Sequence, residues 1–220
     1  EAFMAENKKF VITVGRQYGS GGAEMAKRLG ERLGLHVYDK EILKMTSEES
    51  GIRESYFHLA DEKAGNKLLY RIIHSLIPEN GTPSLGSDLI SSDNLFRFQS
   101  SVIRKLAQEE SCIIIGRCAD YALADYPNHL SLFICAPMDV RVQRVAERQN
   151  VSPEKARQLI AKTDKRRASY YEYYTSKKWG ALDSYHFCID SSYLGLGRTV
   201  ELIQTMVAHK EHPIPSPTEE

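Results

Sequence analysis

Short apolar segments and amphipathic segments alternate along most of the chain. Residues 10–14 form an apolar, β-branched run, and a glycine-rich turn follows at residues 15–22. Beyond the turn, apolar side chains recur at helical spacing at Met25, Ala26, Leu29 and Leu33. A second short apolar run then ends at Asp39. This order of strand, loop, helix and strand is typical of the start of a parallel α/β sheet.

Three further apolar runs predict the remaining strands of the sheet. They lie at residues 112–116, 130–136 and 185–190. Apolar runs of this length suit strands that are buried on both faces, as the strands of parallel sheets are. Helical patterns separate these runs from one another. We therefore predict an α/β fold in which five short strands alternate with helices.

Two helical blocks interrupt this alternation and divide the chain into a core and two smaller parts. Residues 46–98 change pattern and include a stretch rich in turn formers, which indicates an insertion rather than a second full domain. Residues 151–180 form the second block, and residues 1–8 and 210–220 are expected to be flexible termini. The predicted core domain consists of residues 9–45, 99–150 and 181–209.

Composition narrows the class of protein without identifying a partner. The 220 residues suffice for one sizeable core, and 29 basic residues balance 29 acidic ones. This neutrality gives no support for a nucleic-acid or membrane partner. No apolar run is long enough to span a bilayer, and the first residues lack the apolar part of a signal peptide. Four widely spaced cysteines form no CxxC pair, which argues against a zinc site. We expect a cytoplasmic protein, in a compartment that keeps its cysteines reduced.

The glycine-rich turn at residues 15–22 is the first candidate binding element. A loop between a strand and a helix points backbone N–H groups outward, and the helix dipole adds positive potential, so such a loop can bind phosphate. In the P-loop pattern GxxxxGK[ST], with Gly21 as the second glycine, Gly22 takes the lysine position and Ala23 the hydroxyl position. A tight connection without a ligand is the alternative. If the loop binds phosphate, we expect Gly22→Lys to improve donor binding.

Two charged residues follow strands at the edge where ligands bind in open α/β sheets. Asp39 ends the second apolar run, and Arg117 follows the run at residues 112–116. Because an arginine fork grips phosphate oxygens, Arg117 is a candidate for binding an anionic ligand. The alternatives are a surface salt bridge for Arg117 and a helix N-cap for Asp39, although capping and ligand binding can coexist.

A second informative stretch, residues 162–179, interleaves basic and aromatic side chains. The sequence KTDKRRASYYEYYTSKKW can bind nucleic acid by charge and stacking, or it can close over the phosphates and base of a nucleotide. A charged helix with tyrosines packed on the body of the protein is a third interpretation. The neutrality of the whole chain argues against nucleic acid, which usually requires a basic domain.

Together these motifs resemble the nucleoside monophosphate kinases, and more closely the bacterial cytidylate kinase-like family. The resemblance covers residues 10–207 and rests on six segments: ITVGRQYGSGGAEMAKRL, HVYDKEIL, CIIIGRCADYAL, LSLFICAPMDVRVQRV, KTDKRRASYYEYYT and FCIDSS. It implies a three-layer P-loop kinase-like fold with helices flanking a five-stranded parallel sheet. It also implies that residues 46–98 bind the acceptor nucleotide and that residues 151–180 form a mobile lid.

The same resemblance assigns roles to individual residues. The phosphates of ATP would lie in a cradle formed by Gly15, Arg16, Gln17, Tyr18, Gly19, Ser20, Gly21, Gly22 and Ala23. Catalytic roles fall to Arg117, Asp164, Arg166 and Arg167, and acceptor binding falls to Asp39, Arg117, Asp120, Arg141 and Arg144. ATP and Mg²⁺ would be the cofactors. The nucleotide phosphates would hold the Mg²⁺, helped by a carboxylate such as Asp39 or Asp120.

Five positions depart from the pattern of cytidylate kinases, and two of them are Tyr170 and Tyr171, which stand where the lids of those enzymes have further basic residues. Gly22 replaces the lysine, Ala23 replaces the hydroxyl residue, and Cys118 replaces the aspartate that follows Gly-Arg. The leading hypothesis is ATP-dependent phosphoryl transfer to a CMP- or dCMP-like nucleoside monophosphate or a related small acceptor. The alternative is a non-catalytic nucleotide- or anion-binding module that has lost the lysine, and RNA binding is a third hypothesis. The expected partner is a small nucleotide, and we expect no membrane partner. A homodimer is possible from the sequence.

Overall fold

The described part of the chain contains the sheet, the helices around it and the helical block at residues 151–180. The computed structural model describes residues 9–39, 68, 71–72, 75–76 and 92–211, with only the backbone described at the two ends of the last range, residues 92–95 and 209–211. Most of the predicted acceptor lobe, residues 46–98, lies outside the described residues, as does the predicted terminus at residues 1–8. The predictions for these segments therefore stay predictions.

Five strands form a single parallel sheet, as the apolar runs predict. Their spatial order is β2-β3-β1-β4-β5, so β1 lies at the centre between β3 and β4. The pairing of β1 aligns Val14 with Ile115 on one side and Arg16 with Ile134 on the other. The strands are β1 Val11–Arg16, β2 His36–Tyr38, β3 Cys112–Ile115, β4 His129–Cys135 and β5 Phe187–Asp190.

Six α-helices in the described part of the chain connect and cover these strands. They are α1 Gly22–Leu33, α2 Ser92–Glu109, α3 Ala119–Ala122, α4 Met138–Gln149, α5 Pro153–Thr175 and α6 Ser191–Glu211. Helix α5 occupies most of the predicted lid block, and the Ser152 side chain caps it by accepting from the Lys155 N–H. Gly195 interrupts α6 with a non-helical backbone. No helix among the described residues has the length and apolar content that a membrane span requires.

The core lies on both faces of the sheet, which gives the three layers of the predicted fold. Alternate residues of each strand point to opposite faces. On one face, Ile113 and Ile115 pack with Met25 and Leu29 of α1 and with residues of α6. On the other face, the adjacent Ile114 packs with residues of α2 and α3. Because both faces of β1, β3 and β4 are buried, these strands need no polar alternation, and their apolar runs are explained. The edge strand β5 is only partly buried, so the expectation that its run is covered on both faces is wrong.

The topology places several loops at one edge of the sheet. All five strands are parallel, so the segments that follow β1, β2, β3 and β5 leave from the same edge. The glycine-rich loop follows the central strand β1 there, and Asp39 and Gly116 follow β2 and β3. This carboxyl edge is where open α/β sheets bind ligands.

Candidate active site

The loop between β1 and α1 has a backbone that only glycine adopts readily at two positions. Gly19 and Gly21 have φ angles of 82° and 81°, in the left-handed region. A Cβ at Gly19 would also lie 2.9 Å from Val145 Cγ2 and 3.0 Å from the Arg141 carbonyl oxygen. Among the described residues, the backbone N–H groups of Gly19, Gly21 and Ala23 have no hydrogen-bond acceptor. These donors lie at the start of α1, where the helix dipole favours an anion.

Helix α4 and Ser191 hold the loop from the side of its carbonyl groups. Arg144 donates from Nη1 to the Ser20 carbonyl oxygen at 2.9 Å, and Arg141 donates from Nη1 to the Tyr18 carbonyl oxygen at 3.4 Å. The Ser191 hydroxyl also donates to the Ser20 carbonyl oxygen, at 2.5 Å. The two arginines, expected to bind the acceptor, thus contact the loop backbone in this structure. Satisfying the carbonyl groups in this way fixes the direction of the N–H groups.

Asp164 connects helix α5 to the loop. Its Oδ1 accepts from the Tyr18 N–H at 2.7 Å, and its Oδ2 pairs with Arg141 Nη1 at 2.5 Å. The Arg141 side chain is 7 % exposed and the Asp164 side chain 17 % exposed, so water screens this pair weakly. A carboxylate of the chain itself therefore occupies one N–H group of the loop. The predicted lid is tied to the loop at this point.

Arg16, Arg117 and Arg167 converge beside the loop, near Asp39. Arg16 Nη2 lies 3.3 Å from Asp39 Oδ1, and Arg167 Nη1 donates to the Arg16 carbonyl oxygen at 2.9 Å. Burial lowers the pKa of Arg16 to about 10, with further lowering from the charges of Arg167 and Arg117 and an opposing effect of Asp39. Burial likewise lowers the pKa values of Arg117 and Arg167. Charge-charge repulsion among these guanidinium groups favours the binding of an anion.

Arg166 lies on α5 next to this group but is more exposed. Arg166 is exposed to solvent, whereas Arg167 is half-buried. Its positive charge contributes to lowering the pKa values of both Arg117 and Arg167, which places it within electrostatic range of the cluster. The structure therefore brings five of the predicted residues together at the carboxyl edge: Arg16, Asp39, Arg117, Arg166 and Arg167.

The turn that carries Arg117 has an unusual backbone. Gly116, Arg117 and Cys118 have φ angles of 71°, 62° and 51° in succession. A left-handed conformation costs a non-glycine residue about 1–2 kcal/mol, and strained residues cluster at functional sites. Gln99 of α2 supports the turn by donating from Nε2 to the Arg117 carbonyl oxygen at 3.1 Å. Sequence reasoning missed Gln99, because no motif around it marks a contact with a turn 18 residues further along the chain.

Cys118 and Asp120 point into the protein rather than toward the arginine cluster. Cys118 is 4 % exposed and packs with Phe133, Tyr171 and Tyr185, and burial raises its pKa to about 12. The Asp120 carboxylate accepts from the Tyr171 hydroxyl of α5 at 2.7 Å, and burial raises its pKa above the ordinary value. Asp120, predicted to bind the acceptor, is therefore bonded to α5 here.

The tyrosines of the basic and aromatic stretch pack mainly on other aromatic side chains. Tyr174 stacks on Phe96 of α2 with ring centroids 4.2 Å apart, and Tyr170 meets the same ring edge-on at 6.4 Å. Tyr171 is buried, whereas Tyr173 is 69 % exposed. Tyr170, Tyr171 and Tyr174 thus pack against other aromatic side chains, as in the third interpretation, whereas the basic residues of the stretch other than Arg167 are exposed.

The residues of the loop fit the phosphates of a nucleotide better than they fit a metal ion. The glycine cradle and the buried Arg16 Nε, which has no partner among the described residues, both suit phosphate oxygens. Ala23 has no hydroxyl to offer a metal. Within the described residues, no three His, Cys, Asp or Glu side chains converge as a ligand set. A Mg²⁺ ion would therefore depend on the phosphates of the nucleotide for most of its ligands.

Comparison with known proteins identifies relatives along nearly the whole chain. The sequence model of the cytidylate kinase-like family matches residues 11–193. A cytidylate kinase of Methanopyrus kandleri is 26% identical over 207 residues, covering 90% of this chain and 92% of the relative. A cytidylate kinase of Pyrococcus horikoshii is 27% identical over 164 residues, covering 74% and 70%. The crystal structure of an uncharacterized protein from Eubacterium ventriosum superposes with a TM-score of 0.66 at 27% identity, covering 91% of this chain and 99% of that one.

Proposed function

The chain belongs to the cytidylate kinase-like family, and we propose that it transfers a phosphoryl group from ATP to a nucleoside monophosphate of the CMP or dCMP kind. One observation supports this proposal above the others. The glycine loop and the arginine cluster lie side by side at the carboxyl edge, with the Arg16 guanidinium in contact with Gly116, next to Arg117. A donor phosphate and an acceptor phosphate need such adjacent sites.

The loop supplies the donor side of this site. Its N–H groups at Gly19, Gly21 and Ala23 are free of acceptors among the described residues and would bind phosphate oxygens. Arg141 and Arg144 hold the carbonyl side of the loop, so the cradle needs little reorganisation when a nucleotide binds. Mg²⁺, bound to the donor phosphates, would supply further neutralisation of their charge.

The arginine cluster supplies the acceptor side and the charge for transfer. Arg117 would bind the acceptor phosphate through two parallel hydrogen bonds, and Asp39 would orient the neighbouring Arg16. Arg166 and Arg167 would stabilise the charge on the phosphoryl group as it moves. Phosphoryl transfer depends on positioning and on charge stabilisation, so a site without a nucleophile of its own suffices.

Variants of Arg117 test this assignment. Arg117→Ala should lower kcat/KM for the acceptor by about 100-fold or more, and Arg117→Lys should recover only part of the loss, because lysine cannot bind two oxygens in the same plane. Arg28→Ala is a matched control, since Arg28 is half exposed on α1 and pairs with Glu24. Equal rates for the Arg117→Ala variant and the control would contradict the role given to Arg117.

A non-catalytic nucleotide- or anion-binding module is the second candidate function. Gly22 and Ala23 support it, because the loop lacks both the lysine and the hydroxyl side chain of the P-loop pattern. Calorimetry with ATP and CMP, followed by a transfer assay on the same protein, separates the two candidates. Binding accompanied by formation of a nucleoside diphosphate supports the kinase, whereas binding without any product supports the module.

A further inference from the structure

Positions 16 and 22 of the chain face each other across the glycine loop and compete for one space. A Cβ at Gly22 would lie 2.7 Å from Arg16 Cβ and 3.1 Å from Ile134 Cβ. Both neighbours are atoms close to the backbone, which cannot move away as the end of a long side chain can. Gly22 therefore has a steric reason to be glycine while position 16 carries a side chain. The expectation that Gly22→Lys improves donor binding assumed an open position, which the structure does not provide.

The P-loop pattern has glycine at one of these two positions and a long side chain at the other. With Gly21 as the second glycine of GxxxxGK, the first glycine falls at position 16 and the lysine at position 22. This chain has arginine at position 16 and glycine at position 22. Relative to the P-loop pattern, the long side chain and the glycine have exchanged places. Because the two Cβ positions are so close, a side chain at one position requires glycine at the other.

The Arg16 side chain extends from this position toward the space between the loop and Arg117. It is 16 % exposed, and its Nη2 lies 3.3 Å from Asp39 Oδ1. Its Nη1 is so close to Gly116 that a Cβ there would lie 2.1 Å away. The Arg16 Nε is buried and has no hydrogen-bond partner among the described residues. A buried donor without a partner is costly, so this atom calls for an acceptor that the described chain does not supply.

The charges around Arg16 point to an anion as that acceptor. Among the described groups that act electrostatically on Arg16, Arg117 and Arg167 are positive and Asp39 is negative. The described neighbourhood thus holds three guanidinium groups and one carboxylate. Phosphate oxygens would restore the balance and would accept from both the Nε and the Nη groups of an arginine.

We propose that Arg16 supplies, from the first-glycine position, the positive charge that a P-loop lysine supplies from the position of Gly22. This inference rests on the proposed function and names the residue that binds the transferring phosphoryl group. Because its guanidinium lies against the Gly116–Arg117 turn, Arg16 contacts that group on the side of the acceptor. Arginine also offers several donors in one plane, where a lysine offers a point charge.

The transfer that Arg16 assists balances without a proton donor or acceptor from the protein. The bond between the γ-phosphorus and the β–γ bridging oxygen breaks, and the electron pair stays with that oxygen in ADP. A bond forms between the γ-phosphorus and an oxygen of the acceptor phosphate. A phosphate monoester is largely a dianion at neutral pH, so the attacking oxygen has no proton to lose. Arg16 stabilises the γ-phosphoryl oxygens while the bonds exchange.

Binding measurements on four proteins test the charge of Arg16 apart from catalysis. The wild type, Arg16→Met, Arg16→Lys and the control Arg28→Met are titrated by calorimetry with ATP and Mg²⁺, and separately with tripolyphosphate. Methionine keeps an unbranched stem against Gly22, so Arg16→Met should fold, with a melting temperature near that of the wild type. We expect Arg16→Met to lose about tenfold or more in affinity for both ligands, Arg16→Lys to lose less, and the control to match the wild type.

A second set of variants tests the exchange of positions. Gly22→Lys alone should lose ATP binding or fold poorly, and Arg16→Gly alone should bind ATP weakly. The double variant Arg16→Gly/Gly22→Lys restores the P-loop pattern and should bind ATP at least about tenfold more tightly than Arg16→Gly, which is a coupling between contacting sites. Gly197→Lys controls for the change of glycine to lysine, since nothing lies within 4 Å of a Cβ at Gly197.

The outcomes separate this inference from the proposed function. If the wild type binds ATP and forms a nucleoside diphosphate, but Arg16→Met binds ATP and tripolyphosphate as tightly, the role of Arg16 is overturned and the kinase remains. If the double variant binds no better than Arg16→Gly, the exchange is overturned. If the wild type binds neither ligand at millimolar concentration, both proposals fail. Loss of affinity in Arg16→Met with recovery in the double variant supports the inference.

Discussion

Removing the Tyr171 hydroxyl should weaken the attachment of helix α5 to the core without changing the shape of the protein. Tyr171 is 4 % exposed, and its hydroxyl donates to the Asp120 carboxylate at 2.7 Å. The ring also stacks near Tyr185, with centroids 6.1 Å apart, and phenylalanine would keep that contact. Tyr171→Phe therefore deletes the hydroxyl that donates to Asp120 and leaves a buried carboxylate short of one donor.

The expected cost follows from the charge and the burial of Asp120. A hydrogen bond to a charged group contributes about 1.5–3 kcal/mol, more than a bond between neutral groups. Burial is the largest influence on the pKa of Asp120, and the Tyr171 hydroxyl opposes it, so the carboxylate depends on this donor. We expect Tyr171→Phe to lower the free energy of unfolding by about 2 kcal/mol, or the melting temperature by roughly 4–8 °C.

Urea denaturation at neutral pH measures this change directly. Tyr173→Phe is a matched control on the same helix, because the Tyr173 side chain is 69 % exposed, and its stability should stay within about 0.5 kcal/mol of the wild type. Asp120→Asn and the double variant Tyr171→Phe/Asp120→Asn complete a cycle that isolates the pairwise energy. A loss below about 0.5 kcal/mol for Tyr171→Phe, or a coupling energy near zero, would show that the bond to Asp120 does not stabilise the attachment of α5.

Two further predictions concern the same edge of the sheet. Because burial raises the folded-state pKa of Asp120 above its unfolded value, its contribution to stability is complete below the unfolded pKa and is lost as pH rises through the folded pKa. Asp120→Asn should remove that decline. The free energies of unfolding of the wild type and of Asp120→Asn, measured at several pH values above 4, should therefore diverge as pH rises. A constant difference between the two proteins would contradict this prediction. Gly116→Ala should cost about 1–2 kcal/mol for its φ of 71° and should displace the Arg16 guanidinium. Calorimetry should show weaker ATP binding than in Gly197→Ala, which has open space at its Cβ; equal affinities would count against the contact.

The sheet and the loop could be predicted from the sequence because their signals are local. The buried strands are short apolar runs, and the four glycines lie at the end of the first of them and directly after it. The parallel arrangement followed from the helices between the strands. No comparable local signal shows how far the insertion at residues 46–98 extends or how it packs.

The roles of individual arginines could not be predicted because they depend on how the helices pack. Arg141 and Arg144 lie three residues apart, which places them on one face of α4. The sequence did not reveal that this face meets the carbonyl groups of the loop, or that Asp164 of α5 pairs with Arg141. Likewise, Gly22 reads as a lost lysine in the sequence. Only the distance from its Cβ position to Arg16 shows that side chains at positions 16 and 22 would clash.

The proposed reaction passes a phosphoryl group from ATP to a nucleoside monophosphate. The most direct test incubates the wild-type protein with ATP, Mg²⁺ and, in separate reactions, CMP, dCMP, UMP, AMP or no acceptor, and quantifies all nucleotides by anion-exchange chromatography. We predict that ADP and one nucleoside diphosphate form in equal amounts, fastest with CMP or dCMP, and that little ADP forms without an acceptor. ADP formation that is independent of the acceptor, or no product with any acceptor, would rule out phosphoryl transfer to a nucleoside monophosphate.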